Sequence, residues 1–203
     1  MSSRIFAENK LLIATSNKGK IKEFENLLAG KNIELVSLEG YNIEPPEENG
    51  KDFTENAVIK SKFYSKTTNL VALADDSGLC IDALGGEPGI YAARWAEQEG
   101  GYDKAMAKIE QRFKELDIEE SNARFVCVIS VCWPDGNIEN FEGIVEGKIK
   151  FPPKGTNGFG YDSIFIPEGY SKTFAEMTTN EKLPISHRYL AFKKFIDNCF
   201  NEK

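Results

Sequence analysis

Leu70-Val71-Ala72-Leu73-Ala74-Asp75-Asp76-Ser77-Gly78-Leu79 is the stretch on which the reading of this chain turns. Leu70 to Ala74 is a continuous apolar run, which predicts a buried strand. Two adjacent carboxylates, a hydroxyl and a glycine follow it. Proteins of the α/β class place their chemistry at strand ends, and neighbouring carboxylates repel unless a cation or a proton lies between them. Holding a divalent metal that activates water is the simplest use of such a pair. A solvated turn, where Asp and Gly are common, is the plainer use.

The segments on either side alternate between helical and strand periodicity. Leu11–Ala14 is a short buried strand. Ile21, Phe24, Leu27 and Leu28 mark one face of a helix that stops near Gly30, and Ile33–Leu38 is a second strand. An acidic loop stiffened by Pro45 and Pro46 precedes Asp52, which is placed to cap a helix over 53–67. Beyond the Asp-Asp turn come a glycine-rich loop over 85–89 and a helix over 102–116, with Met106, Ile109, Phe113 and Leu116 in register. Ala123–Trp133 is β-branched and aromatic. Pro134-Asp135-Gly136-Asn137 is a turn signal, so Ile138–Lys150 should pair back as a hairpin. Ser186 is placed to cap a last helix ending near Cys199, with Leu190, Phe195 and Ile196 inward. This order implies an α/β fold with a mixed sheet and one domain over residues 1–203.

The 203 residues suffice for one substantial core. No apolar run approaches a membrane span, and Met1–Lys10 has no signal-peptide character, so the expectation is a cytoplasmic protein with no membrane partner. The net charge of −7 argues against nonspecific nucleic-acid binding. Cys80, Cys127, Cys132 and Cys199 form no CxxC pair, and with a single histidine a zinc site is not expected; all four read as reduced, mostly buried thiols.

Four constellations carry chemistry. Thr15-Ser16-Asn17-Lys18-Gly19-Lys20 joins a strand to a helix, where backbone N–H groups and two lysines attract phosphate. It is not a Walker loop: Ala14 stands where the first glycine belongs, and Ile21 follows the lysine. Glu44, Glu47, Glu48, Asp75 and Asp76 supply carboxylates of the kind Mg²⁺ takes alongside substrate phosphates. Gly158-Phe159-Gly160-Tyr161-Asp162 offers aromatics for stacking and a carboxylate for base-edge N–H groups. Glu181-Lys182 with Ile185-Ser186-His187-Arg188 sets the only histidine beside an arginine at a helix start.

Taken together these segments resemble the inosine triphosphate pyrophosphatase family, which hydrolyses non-canonical purine nucleoside triphosphates. The matching residues are Ala14–Lys20 with Glu23, Phe53-Thr54-Glu55-Asn56-Ala57, Asp75–Leu79, Ala83–Trp95, Gly158–Asp162 and Ile185–Arg188, in the family's order. Ser163, where proline is usual, and Leu183-Pro184, before Ile-Ser-His-Arg, depart from the pattern. The resemblance implies two α/β lobes around a long twisted mixed sheet, a cleft between them, and a homodimer. It implies that Thr15, Ser16, Asn17, Lys18, Gly19 and Lys20 contact the triphosphate. Glu48 would bind Mg²⁺, or Mn²⁺ in its place, with Glu47 the alternative ligand. Asp76 would be a metal ligand and the general base. Ser77, Phe159, Gly160, Tyr161, Asp162, Lys182, His187 and Arg188 would contact base and phosphate, and Lys60 and Trp95 align with further substrate positions. A purine nucleoside triphosphate such as ITP, dITP or XTP would give a monophosphate and pyrophosphate. Two other readings share some of these residues. A metal-dependent phosphatase would release orthophosphate first, and a non-enzymatic nucleotide-binding module would not need Asp76.

Overall fold

A computed structural model of the chain describes residues 3–200. Its elements run β1 (Lys10–Ile13), α1 (Lys18–Leu28), β2 (Glu34–Ser37), α2 (Phe53–Thr68), β3 (Ala72–Ile81), β4 (Pro88–Gly89), α3 (Ala92–Glu99), α4 (Tyr102–Glu115), β5 (Glu120–Cys132), β6 (Ile138–Lys150), β7 (Phe165–Pro167), α5 (Thr179–Lys182) and α6 (His187–Cys199). The fold is mixed α/β, as the sequence predicts. One sheet has the order β2-β1-β3-β5-β6-β7, with β4 beside β3. β1 is parallel to β2 and β3, whereas β4 and β7 run antiparallel to their partners.

The chain forms two compact units, each assembled from separate segments. Among the described residues the first comprises 3–76, 127–143 and 188–200; the second comprises 77–126 and 144–187.

In the first unit the alternation of side chains along β1 and β3 divides the core in two. Leu11, Ile13, Val71 and Leu73 pack with Phe24 and Leu28 of α1 and with Ala191, Phe192 and Phe195 of α6. Leu12, Ala14, Ala72 and Ala74 pack with Tyr64 of α2. Both faces are covered, so these strands read as unbroken apolar runs rather than alternating ones. α2 begins where Asp52 accepts the Glu55 N–H at 2.8 Å. Losing that cap would cost about 1 kcal/mol. In the second unit Phe125, Phe165 and Phe174 form a ring cluster, and the His187 imidazole stacks on Phe125 with centroids 4.9 Å apart and planes 11° from parallel.

Three expectations need correction. The strand expected to end at Ala74 begins at Ala72 and runs on through Asp75 and Asp76 to Ile81. The aspartates therefore lie within a strand and not in a turn. Cations from distant segments stand beside both, so the strand has no need to release them to water. Leu116 is exposed at the end of α4 rather than inward. No element is expected from the sequence between the 85–89 loop and the helix over 102–116, and α3 forms there. All four cysteines are buried and free, as expected. Of the two departures from the family pattern, Pro184 sits in the first turn of a 3₁₀ segment, and the Ser163 hydroxyl reaches the Met106 sulfur at 3.2 Å.

Candidate active site

Asp75 and Asp76 continue the alternation of β3. Asp75 follows Val71 and Leu73 onto the side of α1 and α6; Asp76 follows Ala72 and Ala74 onto the side of α2. Both are buried, at 2% and 7% exposure.

The Asp75 carboxylate meets the Lys20 ammonium at 2.8 Å and the Arg188 guanidinium at 3.5 Å, and Arg188 also binds Glu23. Burial would raise the pKa of Asp75, but Lys20 and Arg188 outweigh it and hold the carboxyl well below the usual range. Asp75 is thus a permanent negative charge. It fixes Lys20, which the sequence places at the end of a 15–20 loop and the structure places in the first turn of α1. The start of that loop is set by its own side chains: Thr15 Oγ1 accepts the Asn17 N–H, and Asn17 Oδ1 accepts the N–H groups of Gly19 and Lys20 at 2.9 and 3.3 Å. Asn17 is therefore the cap of α1. Ser16 and Lys18 are exposed.

On the other face Lys60, from α2, lies between two carboxylates: 2.9 Å from Glu48 and 3.4 Å from Asp76. Burial works against the Lys60 charge, but Asp76, Asp75 and Glu48 together hold its pKa above the ordinary value. Burial raises the pKa of Asp76, and the pull of Lys60 does not fully reverse it. Asn56 completes the group. Its Nδ2 donates to Asp76 Oδ2 at 3.2 Å, and its Oδ1 accepts the Gly50 N–H at 2.8 Å.

Among the described residues no three His, Cys, Asp or Glu side chains form a ready metal cage. Two carboxylates from separate segments nevertheless converge on one cation, the Lys60 ammonium. That donor set fits a hard divalent ion that takes one or two carboxylates and completes its shell with water and phosphate. Glu48 is the loop carboxylate turned to this point. Glu47 is exposed and enters none of the ion pairs among the described residues.

The second unit holds the remaining candidates. The Lys182 ammonium lies 2.5 Å from Asp162 Oδ2, which also accepts the Phe159 N–H at 2.9 Å. The same ammonium sits over the rings of Phe159 and Phe174, at 5.5 and 5.3 Å. Gly158, at φ +75°, must lack a side chain, since a Cβ there would overlap the Asp162 carboxylate. Phe159 is exposed, while Tyr161 is buried with its hydroxyl donating to the Ala92 carbonyl at 2.9 Å. Trp95 carries the Lys108 ammonium over its ring at 4.8 Å. Gly160 is half-buried, as is Ser77, which follows Asp76 on β3.

Asn56 was quoted within a motif but given no task. The signal was present: an amide one helical turn before Lys60 on a helix face that buries Ala57 and Ser61.

An α/β fold with this mixed sheet defines a class that has solved members. A HAM1 protein from Coxiella burnetii has a TM-score of 0.84 at 34% identity, covering 93% of this chain and 96% of that one. The Ham1 protein of Staphylococcus aureus has a TM-score of 0.81 at 36% identity, covering 92% and 95%. Among curated relatives, a dITP/XTP pyrophosphatase from Zymomonas mobilis is 46% identical over 94% of this chain and 91% of its own length. One from Brucella melitensis is 44% identical over 98% and 96%. The model of the Ham1 family matches residues 11–198, and the chain belongs to that family. No helix among the described residues is long and apolar enough to cross a membrane.

Proposed function

We propose that this chain hydrolyses non-canonical purine nucleoside triphosphates, with ITP, dITP and XTP as substrates, to the nucleoside monophosphate and pyrophosphate. The observation that carries the reading is the convergence of Glu48 and Asp76 on one cation, with the neighbouring Asp75 holding Lys20 of the phosphate-attracting loop. The names of the curated relatives support it.

Glu48 and Asp76 would hold Mg²⁺, or Mn²⁺ in its place. When bound, the ion screens the phosphate charge and brings water and phosphorus together. The rest falls to the chain. The N–H groups at the start of α1, with Thr15, Ser16 and Lys18, receive the triphosphate. Asp76 orients a water and takes its proton as the oxygen attacks the α-phosphorus in line. Pyrophosphate leaves, and Lys20 and Lys60 stabilise the charge that gathers on it. Ser77, Trp95, Phe159, Gly160, Asp162, Lys182, His187 and Arg188 serve base and ribose, with Tyr161 shaping the loop from behind. A purine with a carbonyl at position six accepts hydrogen bonds there. Adenine presents an amino group instead and would leave buried donors unpaired, which gives strong discrimination. One catalytic domain over 1–203, a homodimer and a cytoplasmic place of action belong to the same proposal.

Incubating the protein with ITP, and separately with ATP, in the presence of Mg²⁺ tests it. Inosine monophosphate and pyrophosphate, with little ATP turnover, is the expected result. Orthophosphate and inosine diphosphate, or equal turnover of ATP, would overturn it.

A further inference from the structure

We infer that Asn56 is a positioning residue that sets the Asp76 carboxylate and the Glu48 loop in register through one side-chain amide. The inference rests on the pyrophosphatase reading for its kinetic consequence, though not for its geometry.

Asn56 lies one turn into α2 and is 1% exposed. Its two polar ends are used in opposite directions. The Gly50 N–H can only donate, so the atom facing it at 2.8 Å must be the amide oxygen. The amide nitrogen is then turned to Asp76 Oδ2, at 3.2 Å. The assignment of oxygen and nitrogen is thus fixed by chemistry. Asp76 has its other oxygen, Oδ1, on Lys60. One carboxylate oxygen is held by an amide and the other by an ammonium.

The loop side of the link is just as tightly defined. Gly50 stands two residues after Glu48, and a Cβ at Gly50 would come within 2.7 Å of Asn56 Oδ1 and 2.8 Å of the Asn56 backbone nitrogen. A side chain there would push the loop off the helix. The docking is reinforced by Glu55, whose carboxylate accepts the Lys51 N–H at 2.8 Å. Neither link is strong alone. Together they leave Glu48 and Asp76 little freedom to drift apart when Lys60 gives way to another cation. A side-chain amide does not ionise at neutral pH and so cannot serve as an acid or base; the contribution is one of orientation, which is worth most where two groups must act on one atom.

The test compares wild type with Asn56→Leu, which has nearly the same shape and neither polar end. Two readouts are used: steady-state kinetics on ITP with Mg²⁺, and Mn²⁺ affinity from the electron paramagnetic resonance signal of the free ion. Loss of such an outer partner typically costs about 10–100-fold. The expected result is a kcat lowered by about that factor, Mn²⁺ affinity lowered by at least about tenfold, and a KM for ITP within about threefold of wild type. Gly50→Ala, which keeps the Asn56 amide but forces the loop away from it, should weaken Mn²⁺ binding in the same direction. If Asn56→Leu does not fold, Asn56→Ser is read in its place, being too short to reach Gly50 and Asp76 together. A folded variant with kcat and Mn²⁺ affinity both within threefold of wild type overturns the inference. So does a variant whose only change is in KM. Wild-type protein that leaves ITP intact but binds Mn²⁺ better than the variant would defeat the pyrophosphatase reading and leave the positioning role standing.

Discussion

Asp75 and Asp76 are consecutive on one strand yet belong to different cations: Asp75 lies 2.8 Å from the Lys20 ammonium and Asp76 lies 3.4 Å from that of Lys60. The pleat of β3 sends them to opposite faces, so their repulsion is divided between two partners instead of being shared on one surface. Burial raises both. Lys20 and Arg188 reverse it for Asp75, whereas Lys60 does not reverse it for Asp76. The two neighbouring carboxyls are thus shifted in opposite directions, Asp75 down and Asp76 up, the usual basis for two acids taking separate roles.

Asp75→Asn should cost stability at neutral pH. Removing one partner of a buried ion pair leaves the other charge uncompensated and typically costs about 3–5 kcal/mol. The pH dependence has a definite sign. A depressed folded pKa stabilises at every pH above the unfolded value of 3.8, and the contribution is lost as pH falls through the lower folded value. Urea denaturation at several pH values should therefore show a constant gap between wild type and variant from about pH 7 to 5, closing only below about pH 4. A gap that closed between pH 7 and 5 would assign the stabilisation to some other group.

Asp76→Asn should separate activity from stability. A general base contributes about 10²–10⁴-fold, so turnover of ITP should fall at least about 100-fold; a variant keeping more than about a tenth of the wild-type rate would remove Asp76 from the base role. The folded pKa of Asp76 is raised, so its ionised form weakens the folded state once pH exceeds the unfolded value of 3.8. Glu48 still accepts from Lys60 in the variant. The Tm at pH 7 should be no lower than that of wild type, and the two should converge as pH drops below about 4.

Lys60→Gln should make the protein depend on a divalent ion for part of its stability. Without the ammonium, Glu48 and Asp76 face each other across the space it filled. Melting in EDTA should show a lower Tm than wild type, and Mg²⁺ or Mn²⁺ should raise the Tm of the variant by more than that of wild type. Equal shifts in the two proteins would move the ion away from these two carboxylates.

The elements read most accurately from the sequence are those with a local signal. Asp52 at the start of α2 and the Pro134–Asn137 turn before Ile138–Lys150 are decided by a few adjacent residues. α3 has no such signal. Tyr91 offers it no side-chain cap, and the helix spans only eight residues, held by the burial of Ala92 and Ala96. The mistaken turn at Asp75-Asp76 has a related cause. Two carboxylates belong in water unless cations arrive, and here the cations come from residues 20, 60 and 188. No window around the pair contains them. The same distance hid Asn56, whose task is set by Gly50 before it and Asp76 after it. The family motifs carried the candidate residues because a pattern of six segments encodes such long-range relations in a way that composition and periodicity do not.

The stacking of His187 on Phe125 gives the protein a spectroscopic label of its own. The chain has a single histidine, 7% exposed, with its ring almost parallel to a phenyl ring 4.9 Å away. The aromatic current of Phe125 should move the imidazole carbon-bound protons well upfield of their free positions. An unlabelled sample should therefore show one displaced pair of imidazole signals, from a single ring. Because both rings belong to the second unit, that signal reports the packing of this unit alone, and its return to the free position during denaturation marks the loss of that packing. Comparing its midpoint with that of Trp133 fluorescence in a Trp95→Phe variant, where the remaining tryptophan reports the first unit, would reveal whether the two units melt together or in turn.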